Sequence, residues 1–313
     1  MVICFGVDVG GTSIKMGAFE CGGNLLNKWE IPTRKEDHGA YILDDICEAM
    51  EDYISKHDIA ATDVYGIGIG VPGPVTSEGV VLSCVNLGWG ERPVAKQLSK
   101  KFHGIPVYVG NDANVAALGE QKCGSAKGYE DMVMVTLGTG VGGGVILGGK
   151  IITGCLGAAG EIGHMPVLTD NTEKCSCGKT DCLELAASAT GIVREAKKMI
   201  AKKQCGTKLS TMEYFSAKTV LDLAQEGDEG AIYVVNRVAD ILATALACIA
   251  SVLNPQAFVI GGGVSKAGQW FLDLVKEAYQ KKAFTPLRDA EILLALLGND
   301  AGIYGAAEMC NRF

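Results

Sequence analysis

Apolar and polar positions alternate through "ICFGVDVG" (3–10) and again through "SIKMGAFE" (13–20), about a Gly-Gly-Thr turn. The chain therefore opens as a strand, a tight turn and a returning strand. "NLLNKWEIP" (24–32) predicts a third strand, and residues 38–56 carry apolar positions at helical spacing. "YGIGIGVPGPV" (65–75) reads as a strand ended by Pro72 and Pro74, residues 93–103 as a helix, and "IPVYVGNDANVAALGE" (105–120) as strand, turn and helix. The N-cap of that helix is Asn111 or Asp112.

A second α/β run begins near residue 130, and its opening echoes the first. Setting 7–19 on 135–147 superposes Val7 on Val135, Val9 on Leu137 and Gly10 on Gly138. Helical segments from about 185 to 253 follow, then the strand "AFVIGGG", a helix at 267–282, the strand "AEILLAL" and a terminal helix from 301. The most apolar stretch, "ILATALACIASVL" (241–253), stops before Pro255 and is too short to span a bilayer, which makes it a core helix.

Composition narrows the function. With 313 residues, 48% hydrophobic and 20% charged, the chain is long enough for two globular domains. A net charge of −8 disfavours nucleic acid and anionic membranes as partners, so a small-molecule ligand is expected. "MVICFGVDVGG" lacks a basic leader region, which predicts a cytoplasmic protein. Nine of the 12 cysteines are scattered singly (Cys4, Cys21, Cys47, Cys84, Cys123, Cys155, Cys205, Cys248, Cys310), the pattern of reduced thiols.

The chemistry concentrates in glycine-rich turns. In "DVGGTSIK" (8–15) a hairpin leaves backbone amides free to approach an anion, Thr12 or Ser13 adds a hydroxyl, Lys15 a charge, and Asp8 a ligand for hydrated Mg²⁺. The alternative is a plain tight turn. "LGTGVGGG" (137–144) offers a second set of amides, and "VIGGGVSKAG" (259–268) and "GNDAGIYGAA" (298–307) read as a nucleoside shelf or as packing glycines. Asn111 and Asp112 follow a strand, where side chains project into the crevice of an open sheet. Asp112 is then either an N-capping group or a general base for a sugar hydroxyl attacking phosphorus. Finally, H-x10-C-x-C-x4-C from His164 through Cys175 and Cys177 to Cys182 supplies four tetrahedral N/S ligands, a closed structural Zn²⁺ site. Plain thiols are the alternative. Glu161 and Glu184 flank that loop, so one metal would fix two carboxylates and an imidazole for a polyol.

These motifs together resemble the ROK family of sugar kinases and sugar-responsive repressors. "DVGGTSIK", "GVPGPV", "VNLGWG", "GNDANVAALGE", "LGTGVGGG", "GEIGH", "CSCGKTDCLE" and "VIGGG" stand in family order over nearly the full length. The resemblance implies a two-domain actin/hexokinase-type (ribonuclease H-like) α/β ATPase fold. Within the family the chain looks most like the bacterial ATP-dependent glucokinases, which implies transfer of the γ-phosphate of MgATP to the 6-hydroxyl of glucose.

Carried over residue by residue, the resemblance makes Asp112 the catalytic base, with Asn111, Glu161, His164, Glu184 and Asn86 on the sugar. Gly10, Gly11, Thr12, Lys15, Thr139 and Gly140 would hold phosphates, and Gly261, Gly262 and Gly263 the adenosine. His164 would serve both zinc and sugar. Asp181 stands where the family has glycine, a place that would suit a left-handed residue. The expected small domain is 1–112 plus 300–313, the large domain 113–299, associating as a homodimer or homotetramer. Kinases for N-acetylmannosamine, fructose or allose share the motifs; a sugar-sensing regulator and a polyphosphate-dependent glucokinase are further alternatives.

Overall fold

The computed structural model describes residues 1–20, 23–168 and 171–311. Cys21 lies outside them. Strands β1 (Ile3–Val9), β2 (Ser13–Glu20), β3 (Leu25–Pro32), β4 (Val64–Val71) and β5 (Val107–Asn111) form one sheet in the order β3-β2-β1-β4-β5. Strands β6 (Met132–Leu137), β7 (Val141–Leu147), β8 (Lys150–Ile151), β9 (Ala257–Gly261) and β10 (Glu291–Leu294) form the other, in the order β10-β9-β6-β7-β8. Read from β8, the second order repeats the first. In both, a hairpin's leading strand pairs in parallel with a later strand, β1 with β4 and β6 with β9, and that strand pairs in parallel with the edge, β5 or β10. The echo between 7–19 and 135–147 is thus a repeat of topology, not only of composition.

Contacts divide the chain into two compact units. Unit 1 is Met1–Gly128, Gly144–Gly160 and Leu297–Phe313; unit 2 is Tyr129–Gly143 and Glu161–Leu296. A division at residue 112 would part α4 (Asp112–Cys123) from unit 1, yet α4 packs there against α10 (Ala301–Cys310). The buried Glu120 of α4 also accepts hydrogen bonds from the Ser125 and Leu297 amides, at 2.9 and 2.8 Å.

In unit 1 the sheet is covered by α2 (Ile42–Lys56) and α3 (Val94–Lys101) on one side, with Phe5 meeting Trp29, Tyr53 and Phe102 edge-on at 5.8–6.2 Å. Helix α2 begins at Ile42, not at residue 38. The preceding turn α1 (Glu36–Gly39) carries left-handed Asp37 and His38, which break helical propagation. On the other side lies α10, close enough that backbone touches backbone. A Cβ at Gly68 would stand 1.7 Å from Ala306 O, one at Gly6 2.1 Å from Ile303 O, and one at Gly305 1.7 Å from Val115 O of α4.

Unit 2 packs a short turn, α5 (Glu184–Ala187), and helices α6 (Ala189–Ala201), α7 (Ala217–Gln225), α8 (Glu229–Leu253) and α9 (Gln269–Lys282). Helix α8 is long and apolar enough to cross a membrane, but 61% of its most apolar window is buried among its neighbours, as expected of a core helix. Asp228 caps it through the Ala231 amide at 2.9 Å, and left-handed Asn254 ends it. Glu195 of α6 is 3% exposed and is held by Arg237 at 2.6 Å and Lys198 at 2.9 Å, so its buried charge is paired. All described cysteines are free thiols, with Cys4, Cys84 and Cys310 buried and Cys155 and Cys248 exposed.

The backbone contact of α10 makes a stability prediction. Gly68→Ala forces α10 off the sheet and is expected to lower unfolding stability by about 1–3 kcal/mol. Gly90→Ala, where a Cβ meets nothing within 4 Å, is the control and is expected to leave the thermal midpoint unchanged. Equal midpoints for both variants in a melting experiment would remove the close contact from the account.

Candidate active site

Unit 1 builds a tight glycine hairpin from β1 and β2. The turn is closed by Gly10 N–H donating to Ser13 O at 3.0 Å, with Gly11 and Thr12 at its tip. Thr33, just beyond β3, clamps it from outside, its amide on Thr12 O at 3.0 Å and its hydroxyl on Gly10 O at 2.7 Å. No sequence motif marks Thr33; its role comes from the pairing of β3 with β2, which carries the chain past the hairpin.

Asp8 sits beneath this turn at the end of β1. A Cβ on Gly302 would stand 2.6 Å from the Asp8 carboxylate, so glycine in the first turn of α10 makes room for it. Of the two expectations for "GNDAGIYGAA", nucleoside shelf or packing glycine, Gly302 meets the second: it packs against Asp8. Burial pushes the Asp8 pKa up, and Lys15, 4.0 Å away, acts against that shift. The Lys15 ammonium also donates to Asn299 O at 3.2 Å.

Asn111 ends β5 and caps α4, its Oδ1 accepting from the Ala113 and Asn114 amides at 3.0 and 3.2 Å. Its Nδ2 donates to Gly73 O at 3.2 Å, tying the cap to the "GVPGPV" loop. Of the two N-cap candidates, Asn111 holds the position. Asp112 is the first residue of α4, half-buried, with its Oδ1 accepting from Ala113 N–H at 2.8 Å. A carboxylate at a helix N-terminus is favoured in its charged form. Asn86 is exposed on the short turn Val85–Leu87.

Unit 2 repeats the hairpin between β6 and β7, where Gly138 N–H donates to Gly140 O at 2.9 Å. The N-terminus of α6 braces it: Ala189 N–H donates to Gly138 O at 2.8 Å and the Thr190 hydroxyl to Thr139 O at 3.0 Å. Glu184 reaches the same turn, its Oε2 accepting from Val141 N–H at 3.1 Å; a Cβ on Gly140 would stand 2.3 Å from that oxygen. Of the three glycines after β9, Gly261 is packed against Met134 and Ala295, Gly262 is left-handed against Leu137, and Gly263 faces open space.

The second half of unit 2's site is the cysteine loop. His164, Cys175, Cys177 and Cys182 bring their ligand atoms within 4.8 Å of one another. His164 Nδ1 is 3.5 Å from Cys175 Sγ, and Cys177 Sγ is 3.4 Å from Cys182 Sγ. Burial pushes the Cys182 thiol up to about 12, while the Lys179 amide and then the Cys182 thiol hold Cys177 below its ordinary value. Cys175 Sγ lies 3.8 Å from Glu184 Oε1, so Glu184 stands between this loop and the β6–β7 turn. Glu161 is exposed at the head of the turn Ile162–His164, and its carbonyl accepts from His164 N–H at 3.1 Å. Asp181 is not left-handed; Gly178 is, with φ 88°, so the loop turns at a different residue from the one where the family's glycine stands. Asp181 instead uses its carbonyl to accept from the Val167 and Leu168 amides at 2.8 and 3.0 Å.

Known proteins share this plan. Residues 4–312 match the ROK family. A glucokinase of Halalkalibacterium halodurans is 43% identical over 305 residues, spanning 96% of this chain and 92% of that protein. A glucokinase of Streptomyces coelicolor is 34% identical, over 100% of this chain and 98% of that protein. Among solved structures, a ROK family glucokinase from Streptomyces griseus in complex with glucose and AMPPNP aligns with a TM-score of 0.76 at 34% identity, covering 98% of both chains. The chain therefore belongs to the ROK family, and its two sheets of matching strand order are those of the actin/hexokinase-type ATPase fold.

Proposed function

We propose that this protein is an ATP-dependent glucose kinase, transferring the γ-phosphate of MgATP to the 6-hydroxyl of glucose and releasing glucose 6-phosphate and ADP. The observation that carries the reading is the placement of Asp112: first residue of α4, just past β5, in a turn fixed by the Asn111 cap and its bond to Gly73. A carboxylate so held orients the 6-hydroxyl. As the new P–O bond forms and the bond to the β-phosphate oxygen breaks, Asp112 takes the hydroxyl proton. Phosphoryl transfer passes through a loose transition state, so the proton leaves late and the base needs no unusual basicity.

The remaining residues divide by chemistry. Gly10, Gly11, Thr12 and Lys15 on one hairpin, and Thr139 and Gly140 on the other, are assigned to the phosphates, with Asp8 toward the hydrated Mg²⁺ that accompanies ATP. Gly263 has the open surroundings an adenosine contact requires, and Gly262 turns the chain for it; Gly261 supports them from within. Asn86, Asn111, Glu161, His164 and Glu184 are assigned to sugar hydroxyls. The four ligand atoms of His164, Cys175, Cys177 and Cys182 suit Zn²⁺, which takes N and S donors at about 2.0–2.3 Å in a tetrahedron. With four protein ligands and no open position the metal would be structural, and bound there it would hold Glu161, His164 and Glu184 in place. His164, whose Nδ1 lies 3.5 Å from Cys175 Sγ, would then have its other ring nitrogen left for the substrate. The reading carries with it a cytoplasmic location and a homodimer or homotetramer.

Coupled ADP-release assays across glucose, mannose, fructose, allose, N-acetylglucosamine and N-acetylmannosamine test the reaction. Glucose is expected to dominate, and Asp112→Asn to lower kcat by about 10²- to 10⁴-fold. A rate dominated by another hexose changes the substrate, and full activity in the variant removes Asp112 as base. For the metal, Cys177→Ser is expected to cut bound zinc from about one per chain toward zero and to take sugar phosphorylation with it. Turnover retained after metal loss would refute the scaffold role.

A further inference from the structure

The segment from Thr33 to Ala40 is fixed at both ends. At its start Thr33 is bonded to Thr12 O and Gly10 O of the first hairpin, at 3.0 and 2.7 Å. At its end Gly39 O accepts from Trp89 Nε1 and Arg92 Nη1, each at 3.0 Å, and Ala40 O from Arg92 Nη2 at 3.3 Å. Between them the backbone turns through three successive left-handed residues, Asp37, His38 and Gly39, with φ of 51°, 57° and 66°. Two of these are not glycine, a costly conformation that persists only where its surroundings enforce it. The bonds from Trp89 and Arg92 to Gly39 O hold it, and Gly88 makes room for it, since a Cβ there would stand 3.0 Å from His38 Cα. Residues 33–40 therefore form a strap from the phosphate hairpin to the loop that carries Asn86.

One cation on this strap is uncommitted. Arg34 is bonded to Asp45 and lies over the Tyr41 ring at 4.7 Å. Lys15, inside the hairpin, is 4.0 Å from Asp8 and donates to Asn299 O at 3.2 Å. Lys35 is different: its ammonium stands 3.8 Å from where a Cβ on Gly11 would be, directly against the hairpin tip. Among the described residues no hydrogen bond or ion pair engages it. Gly11 has no side chain to screen a phosphate from this ammonium.

We propose that Lys35 is a further catalytic residue: its ammonium contacts the γ-phosphoryl group of bound ATP and offsets charge on its oxygens during transfer. The proposal rests on the kinase reading above. The strap joins the hairpin assigned to the phosphates to the loop of Asn86, which the kinase reading assigns to the sugar, and Lys35 is on that connection, at the hairpin tip. That favours the transferred group over the α- and β-phosphates. Because transfer leaves little covalent work for the protein, a fixed positive charge at the migrating group acts directly on the barrier.

The test compares the parent chain with Lys35→Ala and Lys35→Arg in steady-state turnover on the preferred hexose, and in calorimetric binding of ADP and of AMPPNP. Lys35→Ala is expected to lower kcat by about 10- to 100-fold with an unchanged thermal midpoint. It is also expected to weaken AMPPNP by about tenfold while leaving ADP within about twofold, and Lys35→Arg to restore most of both. A kcat within about threefold of the parent, or equal losses for ADP and AMPPNP, would overturn the assignment. If the parent binds AMPPNP but turns over no hexose, the sugar-kinase reading falls. The ADP-against-AMPPNP difference then still decides whether Lys35 meets the γ-phosphate.

Discussion

The C-terminal helix of unit 1 meets its sheet main chain to main chain at Gly6 and Gly68, flanked by the packed side chains of Cys4, Phe19, Ile303 and Cys310, and the placement of that unit's candidate residues depends on this contact. Gly6 and Gly68 remove the side chains that would hold α10 off β1 and β4, and Gly305 does the same against α4. Three elements distant in sequence are thereby fixed together: the strand that ends in Asp8, the helix that begins with Asp112, and the helix whose Gly302 receives the Asp8 carboxylate. A methyl group at Gly6, Gly68 or Gly305 would shift backbone, because each close contact there is to a main-chain oxygen, and one at Gly302 would displace the Asp8 carboxylate. Positioning of this kind is what phosphoryl transfer asks of a protein, since the reaction is limited by alignment and charge.

Unit 2 uses the same strand order to a different end. Its hairpin is braced by the N-terminus of α6 and by Glu184, whose two oxygens face the Val141 amide and the Cys175 thiol. The cysteine loop and the β6–β7 turn are therefore joined through one carboxylate. A metal in the loop would stiffen both. The duplicated topology thus carries two unlike supports, a glycine-faced helix in unit 1 and a ligand cluster in unit 2.

Much of this was legible in the sequence because strand and turn signals are local. The alternation in 3–20, the prolines after β4 and the glycines after β6 and β9 each act within a few residues, and those strands stand where the pattern puts them. The echo of 7–19 in 135–147 marks the matching hairpins β1–β2 and β6–β7, while the shared order of the other strands comes from their pairing. What stayed hidden depends on contacts between distant segments. Helix α2 starts later than its apolar spacing indicates, because residues 37–39 form a left-handed turn that Trp89 and Arg92 hold at Gly39 O and Gly88 leaves room for. Helix α4 belongs with unit 1 because of α10, nearly two hundred positions later. Gly302 and Gly263 look alike in sequence, yet one is a seat for Asp8 and the other borders open space. The grouping of His164, Cys175, Cys177 and Cys182 was readable from spacing alone, whereas the bond from the Val141 amide to Glu184 was not.

The protein's net charge makes these local arrangements more consequential. At −8 the chain as a whole repels ATP and sugar phosphates. Salt screens that repulsion beyond about 8–10 Å, so the distant acidic surface matters little and the first few ångströms decide binding. Within that range unit 1 presents backbone amides of a glycine turn, a lysine already balanced by Asp8, and a second lysine on a strained strap. The balanced pair adds little net attraction for an incoming polyanion. Beside the Mg²⁺ that accompanies ATP, the field at the migrating phosphoryl group then draws on the turn's amides and, on the proposal above, on Lys35, which no carboxylate neutralises among the described residues; on that proposal the strap's position bears on the rate of transfer as well as on the fold.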